Sequence, residues 1–274
     1  MFGFRLKKVE DIEPWGEEPD LRFSYFALSY SYYWLRFGET EFPRYNPDYV
    51  RKHWNGYVTE DPHHLDYQFM RVYDDTFATL PFLCQSVSPE LFEIIRDGKS
   101  LKRLREKLGR YREARVEDEV TEEEEDLCET LISSLFSRHI DFLYLIGAPE
   151  VFLFRYEDRI YAHGFAFYRD EDGCPMWENE IVSADWEIGE FVRELHRSSL
   201  TFVDAMEFQL RRLFANPPAG VHFDAEQMNM EQQQMRESVS SLLKLPGVLE
   251  GSVDEDWDKI AAALRLLVKE ERFA

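Results

Sequence analysis

The chain has little positive charge and few cysteines. It carries 32 lysines and arginines against 54 aspartates and glutamates, which gives a formal net charge of −22, and such a surface repels the phosphates of nucleic acids. The three cysteines, Cys84, Cys128 and Cys174, lie far apart. Their number and spacing predict neither a disulfide framework nor a zinc finger, and we expect a reducing, cytoplasmic location.

Membrane segments and known catalytic motifs are also missing from the sequence. No apolar run approaches the roughly 20 residues of a membrane span, and charges such as Arg5, Lys7 and Glu10 interrupt the apolar stretch that a secretion signal needs. We find no phosphate-binding loop, serine nucleophile elbow, zinc-protease helix or calcium-loop spacing. We therefore predict no catalytic residue, no metal ligand and no cofactor, and no direct contact with nucleic acid or membrane.

Aromatic residues, in contrast, are abundant and make up 15% of the chain. Disordered acidic segments lack the apolar and aromatic residues that offset the entropy of ordering. We therefore expect a folded core that displays the acidic residues on a rigid surface.

Two aromatic-rich stretches predict antiparallel β-structure. The first, Leu21 to Tyr45, is expected to form a hairpin or meander that turns at Gly38-Glu39. The second, Val151 to Val182, contains polar turns at Glu157-Asp158-Arg159 and at Asp170 to Gly173. The sequence leaves open whether the two stretches share one sheet.

Helical patterns fill most of the remaining chain. We predict helices from about His63 to Pro81, after Ser88, from Ser100 to about Arg112, from Glu187 to Phe214, after Asp224, and from Ser252. The fold class is therefore α+β: an antiparallel β-sheet from the two aromatic-rich stretches packs against several helices, and the C-terminal third is helical. We expect a single domain over residues 1–274, with two subdomains, 1–147 and 148–274, as the alternative.

The densest acidic cluster consists of Glu117, Asp118, Glu119, Glu122, Glu123, Glu124, Glu125 and Asp126. Thr121 and Glu124 have capping-box spacing, which predicts a helix from Glu122 to about Tyr144. One interpretation of the cluster is a solvated helix start that folds back against the basic helix before it. The other is an interface for the lysines and arginines of a partner, and this is our hypothesis for the binding site.

Two groups of polar residues are weaker candidates for a functional site than the acidic cluster. Asp61, His63, His64 and Asp66 supply metal-ligand types, but the group is more typical of a helix start. His196, Ser199 and Asp204 superficially resemble a hydrolase triad. A straight helix places such residues in a row, however, whereas triad members converge on one reacting atom.

Short aromatic motifs along the chain are similar to an uncharacterised bacterial family. They are Phe4-Arg5-Leu6, Pro14-Trp15-Gly16, Tyr32-Tyr33-Trp34, Phe154-Arg155-Tyr156-Glu157-Asp158, Phe202, Met206, Arg211 and Val221-His222-Phe223-Asp224. The chain resembles this family, a domain of unknown function, over most of its length. The resemblance implies a bacterial, soluble protein and implies no activity.

Together these features lead us to expect an acidic cytoplasmic protein that neutralises a basic protein partner. The most concrete form is an immunity protein against a toxin or nuclease. One alternative is an enzyme, a hydrolase or transferase, with His163, His196 or His222 as acid–base groups. Another is a DNA mimic whose carboxylates imitate phosphates. The oligomeric state is left open.

Overall fold

A computed structural model of the chain describes residues 1–54, 60–116, 120–142, 144–244 and 255–269. Its elements in chain order are β1 (Phe2–Leu6), β2 (Tyr30–Phe37), β3 (Thr40–Phe42), α1 (Pro47–His53), β4 (Leu65–Gln68), α2 (Phe69–Leu83), α3 (Pro89–Ile95), α4 (Gly98–Val116), α5 (Glu122–Phe136), β5 (His139–Asp141), β6 (Glu150–Tyr156), β7 (Arg159–Phe165), β8 (Ile181–Glu187), α6 (Ile188–Ala215), α7 (Ala225–Leu242) and α8 (Trp257–Lys269). The described residues therefore form an α+β fold, as predicted.

The chain divides into two compact units that interleave in sequence. The first unit comprises Met1–Asp74, Phe167–Asn179 and Gly189–Gly247, and the second comprises Asp75–Ala166, Glu180–Ile188 and Val248–Ala274. Each unit contains one four-stranded antiparallel sheet. The two aromatic-rich stretches thus contribute to separate sheets, while our assignment of one domain, or of two at residue 147, stays a prediction.

In the first unit, β2 is the central strand and pairs with β1, β3 and β4. Aromatic side chains fill the core beside this sheet. Phe69 lies with its ring centroid 5.1 Å from that of Phe4 and 4.6 Å from that of Phe202. Such pairs contribute about 0.5–1.5 kcal/mol each beyond the area that they bury, so the aromatic richness of the sequence appears directly in the packing.

In the second unit, the strands follow one another in the order β5, β6, β7, β8. The turn between β6 and β7 places Glu157 at φ 52°. Helix α4 begins so close to β8 that a Cβ on Gly98 would lie 2.6 Å from Cγ2 of Ile181. Only glycine allows this close approach without a shift of the neighbours.

The predicted hairpin around Gly38-Glu39 is confirmed, but the residues before it differ from our expectation. Phe23 to Ala27 do not form a strand: the chain bends there and makes a short 3-10 helix, Ala27–Ser29. The alternation of aromatic and polar residues reflects burial, since Phe23, Tyr25 and Ala27 are buried while Arg22 and Ser24 are exposed. The Tyr25 hydroxyl donates a hydrogen bond to Gln232 on α7 at 2.5 Å. Strand β1, which we did not predict, pairs with β2 instead.

Three predicted boundaries were also wrong. Leu65 to Gln68 form β4 instead of the start of a helix, because they pair with β2, and α2 begins at Phe69. Helix α5 ends at Phe136 instead of Tyr144, because residues 139–141 pair with β6 as β5. The last strand of the second stretch, expected between the turn at Asp170 to Gly173 and Val182, lies later, as β8, where it pairs with β7.

The helices at Ser88, Glu187 and Asp224 are confirmed by α3, α6 and α7. Ser88 caps α3 and Asp224 caps α7, each by accepting a hydrogen bond from a backbone N–H of the first turn. The predicted start of the last helix, Ser252, lies outside the described residues, and α8 begins at Trp257. None of the helices in the described ranges is long and apolar enough to cross a bilayer.

Candidate functional site

The acidic cluster that we predicted as a binding site lies at the start of α5. Glu117, Asp118 and Glu119 lie outside the described residues. The capping box is confirmed: the Glu124 N–H donates to the Thr121 hydroxyl at 3.3 Å, and the Thr121 N–H donates to the Glu124 carboxylate at 2.9 Å. Glu124 therefore stabilises its own helix.

Other carboxylates of the cluster form ion pairs inside the second unit. Glu125 pairs with Arg115 of α4, and Asp126 lies 2.8 Å from Nζ of Lys259 on α8. Glu122 and Glu123 are exposed, and no cation in the described part of the chain pairs with either. The described part of the cluster is thus a helix start, as in our first interpretation, and of its members Glu125 pairs with the basic helix before it.

A second acidic surface surrounds Trp15 in the first unit, and our sequence analysis did not recognise it. We call residues 13–24 the Trp15 loop. Two backbone hydrogen bonds close it: the Trp15 N–H donates to the Arg22 carbonyl at 2.9 Å, and the Arg22 N–H donates to the Trp15 carbonyl at 2.7 Å. Gly16 has φ +102°, and a Cβ there would lie 2.7 Å from the Asp20 carbonyl oxygen. The turn therefore requires glycine.

The base of the Trp15 loop pairs with a distant segment of the same unit. The Phe23 N–H donates to the His222 carbonyl at 2.9 Å, and the His222 N–H donates to the Leu21 carbonyl at 2.8 Å. Phe23 is buried beneath the loop. The motifs Pro14-Trp15-Gly16 and Val221-His222-Phe223-Asp224, which we noted separately in the sequence, thus belong to one structure.

The Trp15 loop presents an aromatic face beside an open groove. The Trp15 side chain is 48% exposed, and its ring centroid lies 5.8 Å from that of Phe26. The groove has a volume of about 510 Å³ and is lined by Trp15, Gly16, Glu17, Asp20, Arg22, Phe23 and Ser24. This volume lies in the range typical of ligand-binding clefts.

The same loop displays four exposed carboxylates: Glu13, Glu17, Glu18 and Asp20. Within the described ranges, no lysine, arginine or histidine forms an ion pair with any of them. Arg22 is the one cation among the groove-lining residues. Just before the loop, in contrast, Glu10 pairs with Arg212 at 2.6 Å. The loop therefore combines an exposed indole with unneutralised negative charge.

His64 occupies a different environment, between two carboxylates. Its Nδ1 lies 2.8 Å from Asp61 and its Nε2 lies 3.0 Å from Glu41, and its ring stacks on Trp34 at a centroid distance of 4.1 Å. Burial raises the pKa of Asp61, but the hydrogen bonds from His64 and from the His63 N–H outweigh this and lower it. Both ring nitrogens of His64 therefore have carboxylate partners within its own unit.

The remaining members of the group around His64, which the sequence offered as metal-ligand types, do not assemble around one point. Asp66 pairs with Lys7 at 2.8 Å instead of with the histidines. Nowhere in the described ranges do three or more histidine, cysteine or acidic side chains come together in a way that could hold a metal ion.

A related arrangement joins α1 to the turn at Asp170. Lys52 donates to Asp170 at 2.5 Å, and Nε2 of His53 lies 2.7 Å from the same carboxylate. These two hydrogen bonds hold the pKa of Asp170 far below its usual range. The carboxylate therefore stays ionised and ties α1 to this turn.

The residues considered for catalysis lie in unlike environments. Ser199 is fully buried, whereas Asp204 is exposed and pairs with Arg236 at 3.0 Å, so the row along α6 does not form a triad. His222 is exposed in the first unit. His163 is 1% exposed in the second unit, hydrogen-bonds to Ser183 at 2.8 Å, and has its pKa lowered by burial to about 4.

Comparison with known proteins identifies the family but no activity. A family model for DUF5984, a family of unknown function, matches residues 1–263. The chain therefore belongs to this family, which confirms the resemblance seen in its sequence motifs. No curated protein and no solved structure shows significant similarity to the chain.

Proposed function

We propose that this member of DUF5984 is an acidic binding protein that captures and neutralises a basic protein. The observation that carries the proposal is the Trp15 loop, where four exposed carboxylates without cation partners in the described part of the chain surround a half-exposed indole. A surface of this kind is complementary to a partner rich in lysine and arginine.

The net charge of −22 and the loop act at different stages of binding. The long-range field of the whole chain steers a basic partner toward the protein and raises the association rate. The loop then supplies a local anchor, because exposed tryptophans dominate the binding energy of many interfaces. Its backbone hydrogen bonds order it in advance, so little conformational entropy is lost on binding.

The mechanism that we propose is occlusion. The loop carboxylates pair with the basic residues by which the partner holds its own substrate, and the indole excludes water from the contact. In its most concrete form the partner is a toxin or nuclease, the protein is its immunity factor, and both act in the cytoplasm. The predicted site at Glu122 and Glu123 stays a second candidate contact, in the other unit.

The test begins with affinity capture from lysate of the source cells, washed at low and then moderate salt. A basic protein recovered near stoichiometric amount would then be purified, and its association rate measured at several salt concentrations. We expect Glu17→Lys/Asp20→Lys to slow association and weaken its salt dependence. Glu122→Lys/Glu123→Lys changes the net charge equally and serves as the matched control.

The results discriminate among the proposals. Slower association only for the Glu17/Asp20 variant supports the Trp15 loop, and slower association only for the Glu122/Glu123 variant supports our original site. If neither the wild-type protein nor any variant binds a basic protein, the proposed function is wrong.

A purified partner also separates neutralisation from DNA mimicry. Immunity predicts that co-expression restores the growth of cells producing the partner. For a partner that is not a nuclease, a DNA mimic predicts, in addition, that duplex DNA displaces the protein from its partner in competition. Binding without any loss of the partner's activity would contradict both mechanisms.

A further inference from the structure

We infer that the groove of the Trp15 loop binds an arginine side chain of the partner. The guanidinium would stack on the Trp15 indole and pair with the carboxylates of Glu17 and Asp20. This inference rests on the proposed function and adds to it the chemical identity of the group that is recognised.

The groove brings together the two features that a guanidinium requires. Trp15, Glu17 and Asp20 all line it, so an aromatic and two acidic residues border the same space. The Asp20 N–H donates to the Glu17 carbonyl at 2.7 Å, which fixes the backbone that carries the two carboxylates. The phenyl ring of Phe26 next to Trp15 helps to hold the indole in place. A ligand therefore meets an ordered site.

Arginine fits this site better than lysine does. Its planar guanidinium stacks on an aromatic face and donates several hydrogen bonds in one plane, and it is more weakly hydrated than an ammonium group. Cation–π contacts are strongest with tryptophan and are made more often by arginine than by lysine. Arginine also binds carboxylates in a bidentate manner, whereas lysine acts as a point charge.

The protein uses the same combination elsewhere in its own structure. The guanidinium of Arg5 lies 5.0 Å from the ring centroid of Tyr32 and pairs with Asp61 at 3.2 Å. In the second unit, Arg138 lies 5.9 Å from the Trp257 ring and pairs with Glu255. The Trp15 loop offers the aromatic face and the carboxylates of this arrangement to a ligand.

Arg22 also lines the groove and must be considered, because it repels an incoming cation. The loop carries four carboxylates against this single positive charge, so the potential around the groove stays negative. Arg22→Gln should therefore strengthen the binding of a basic ligand, which distinguishes attraction by charge from purely apolar stacking.

The experiment measures binding of a tetra-arginine amide by calorimetry, with a tetra-lysine amide as the comparison. We expect the arginine peptide to bind several-fold more tightly. Trp15→Ala should remove this preference, and Glu17→Gln/Asp20→Asn should weaken arginine binding about tenfold. Glu113→Gln/Asp158→Asn removes the same two charges at exposed residues of the second unit, so it should leave the affinity unchanged within about twofold. Circular dichroism verifies that each variant is folded.

Equal affinity for the two peptides, or equal loss in the Glu17/Asp20 and Glu113/Asp158 variants, would overturn the inference, because binding would then reflect net charge alone. The captured partner separates this failure from that of the proposed function. If Trp15→Ala leaves the partner's affinity unchanged, the groove inference is wrong while the proposed function stands. If the wild-type protein captures no basic partner, the proposed function is wrong.

Discussion

Replacement of Glu255 by glutamine tests how strongly the second unit depends on one buried ion pair. The Arg138 side chain is 0% exposed and the Glu255 side chain is 8% exposed. Arg138 donates to Glu255 Oε1 at 2.7 Å and to the carbonyls of Ser134 and Phe82 at 2.9 and 3.2 Å. Because Glu255 lies two residues before α8, this pair fixes the start of the last helix.

The expected loss follows from the charge left behind. Glutamine preserves the shape of Glu255 and one oxygen acceptor but leaves the buried guanidinium without its counter-ion. Removal of one partner from a buried ion pair costs about 3–5 kcal/mol in the free energy of unfolding. We expect a loss of this size for Glu255→Gln and for Arg138→Met. In Arg138→Met/Glu255→Gln, where neither charge is buried, the loss should be smaller than the sum of the two.

Urea denaturation followed by circular dichroism measures these changes as shifts of the transition midpoint at constant slope. Arg96→Met is the control, because Arg96 and its partner Glu93 have side chains 58% and 66% exposed, and exposed pairs contribute little. It should unfold like the wild-type protein. A loss of unfolding free energy below about 1 kcal/mol in both single variants would refute the argument that breaking the pair leaves a buried charge without its counter-ion.

Further predictions concern buried histidines and glycines. Burial lowers the pKa values of His139 and His163 to about 4. Between about pH 6.5 and 4 the unfolded chain therefore binds more protons than the folded chain, and these groups should reduce the free energy of unfolding as the pH falls through that window. NMR titration should show both rings neutral at pH 6, and a midpoint near 6.5 for either would contradict this. Gly3→Ala should lower the free energy of unfolding by about 1–3 kcal/mol, because a Cβ there would lie 2.2 Å from the Trp34 indole. Gly109→Ala, in α4 with no atom within 4 Å of a Cβ, should raise it by up to about 1 kcal/mol; thermal unfolding that shifts both in the same direction would argue against this packing.

Local signals in the sequence predicted the elements that depend on neighbours in the chain. The capping box of Thr121 and Glu124, the helix start at Ser88 and the turn at Gly38-Glu39 were all predicted correctly, because each is made by residues only a few positions apart. Leu65 was misassigned for the opposite reason. Its spacing to Phe69 fits a helix, but pairing with β2 places it in a strand.

The candidate site shows the same division between local and distant information. The run from Glu122 to Asp126 is conspicuous in the sequence, but Arg115 and Lys259 neutralise part of it from elsewhere in the chain. The carboxylates around Trp15 are less dense and were not singled out. These carboxylates matter because they lack cation partners in the described part of the structure. The sequence does not show this, because composition does not reveal which charges pair.

The sequence by itself determined the α+β class, most helix starts, the acidic character of the surface and, through short aromatic motifs, the family. The first three properties follow from composition, period and local hydrogen bonding, whereas the family rests on the resemblance of the motifs. Only the tertiary structure decided that the aromatic-rich stretches form two sheets, that the segment containing His222 supports the Trp15 loop, and which carboxylates are neutralised. The physical reason is that strand pairing and ion pairing join residues far apart in the chain, so they depend on the packing of the whole unit.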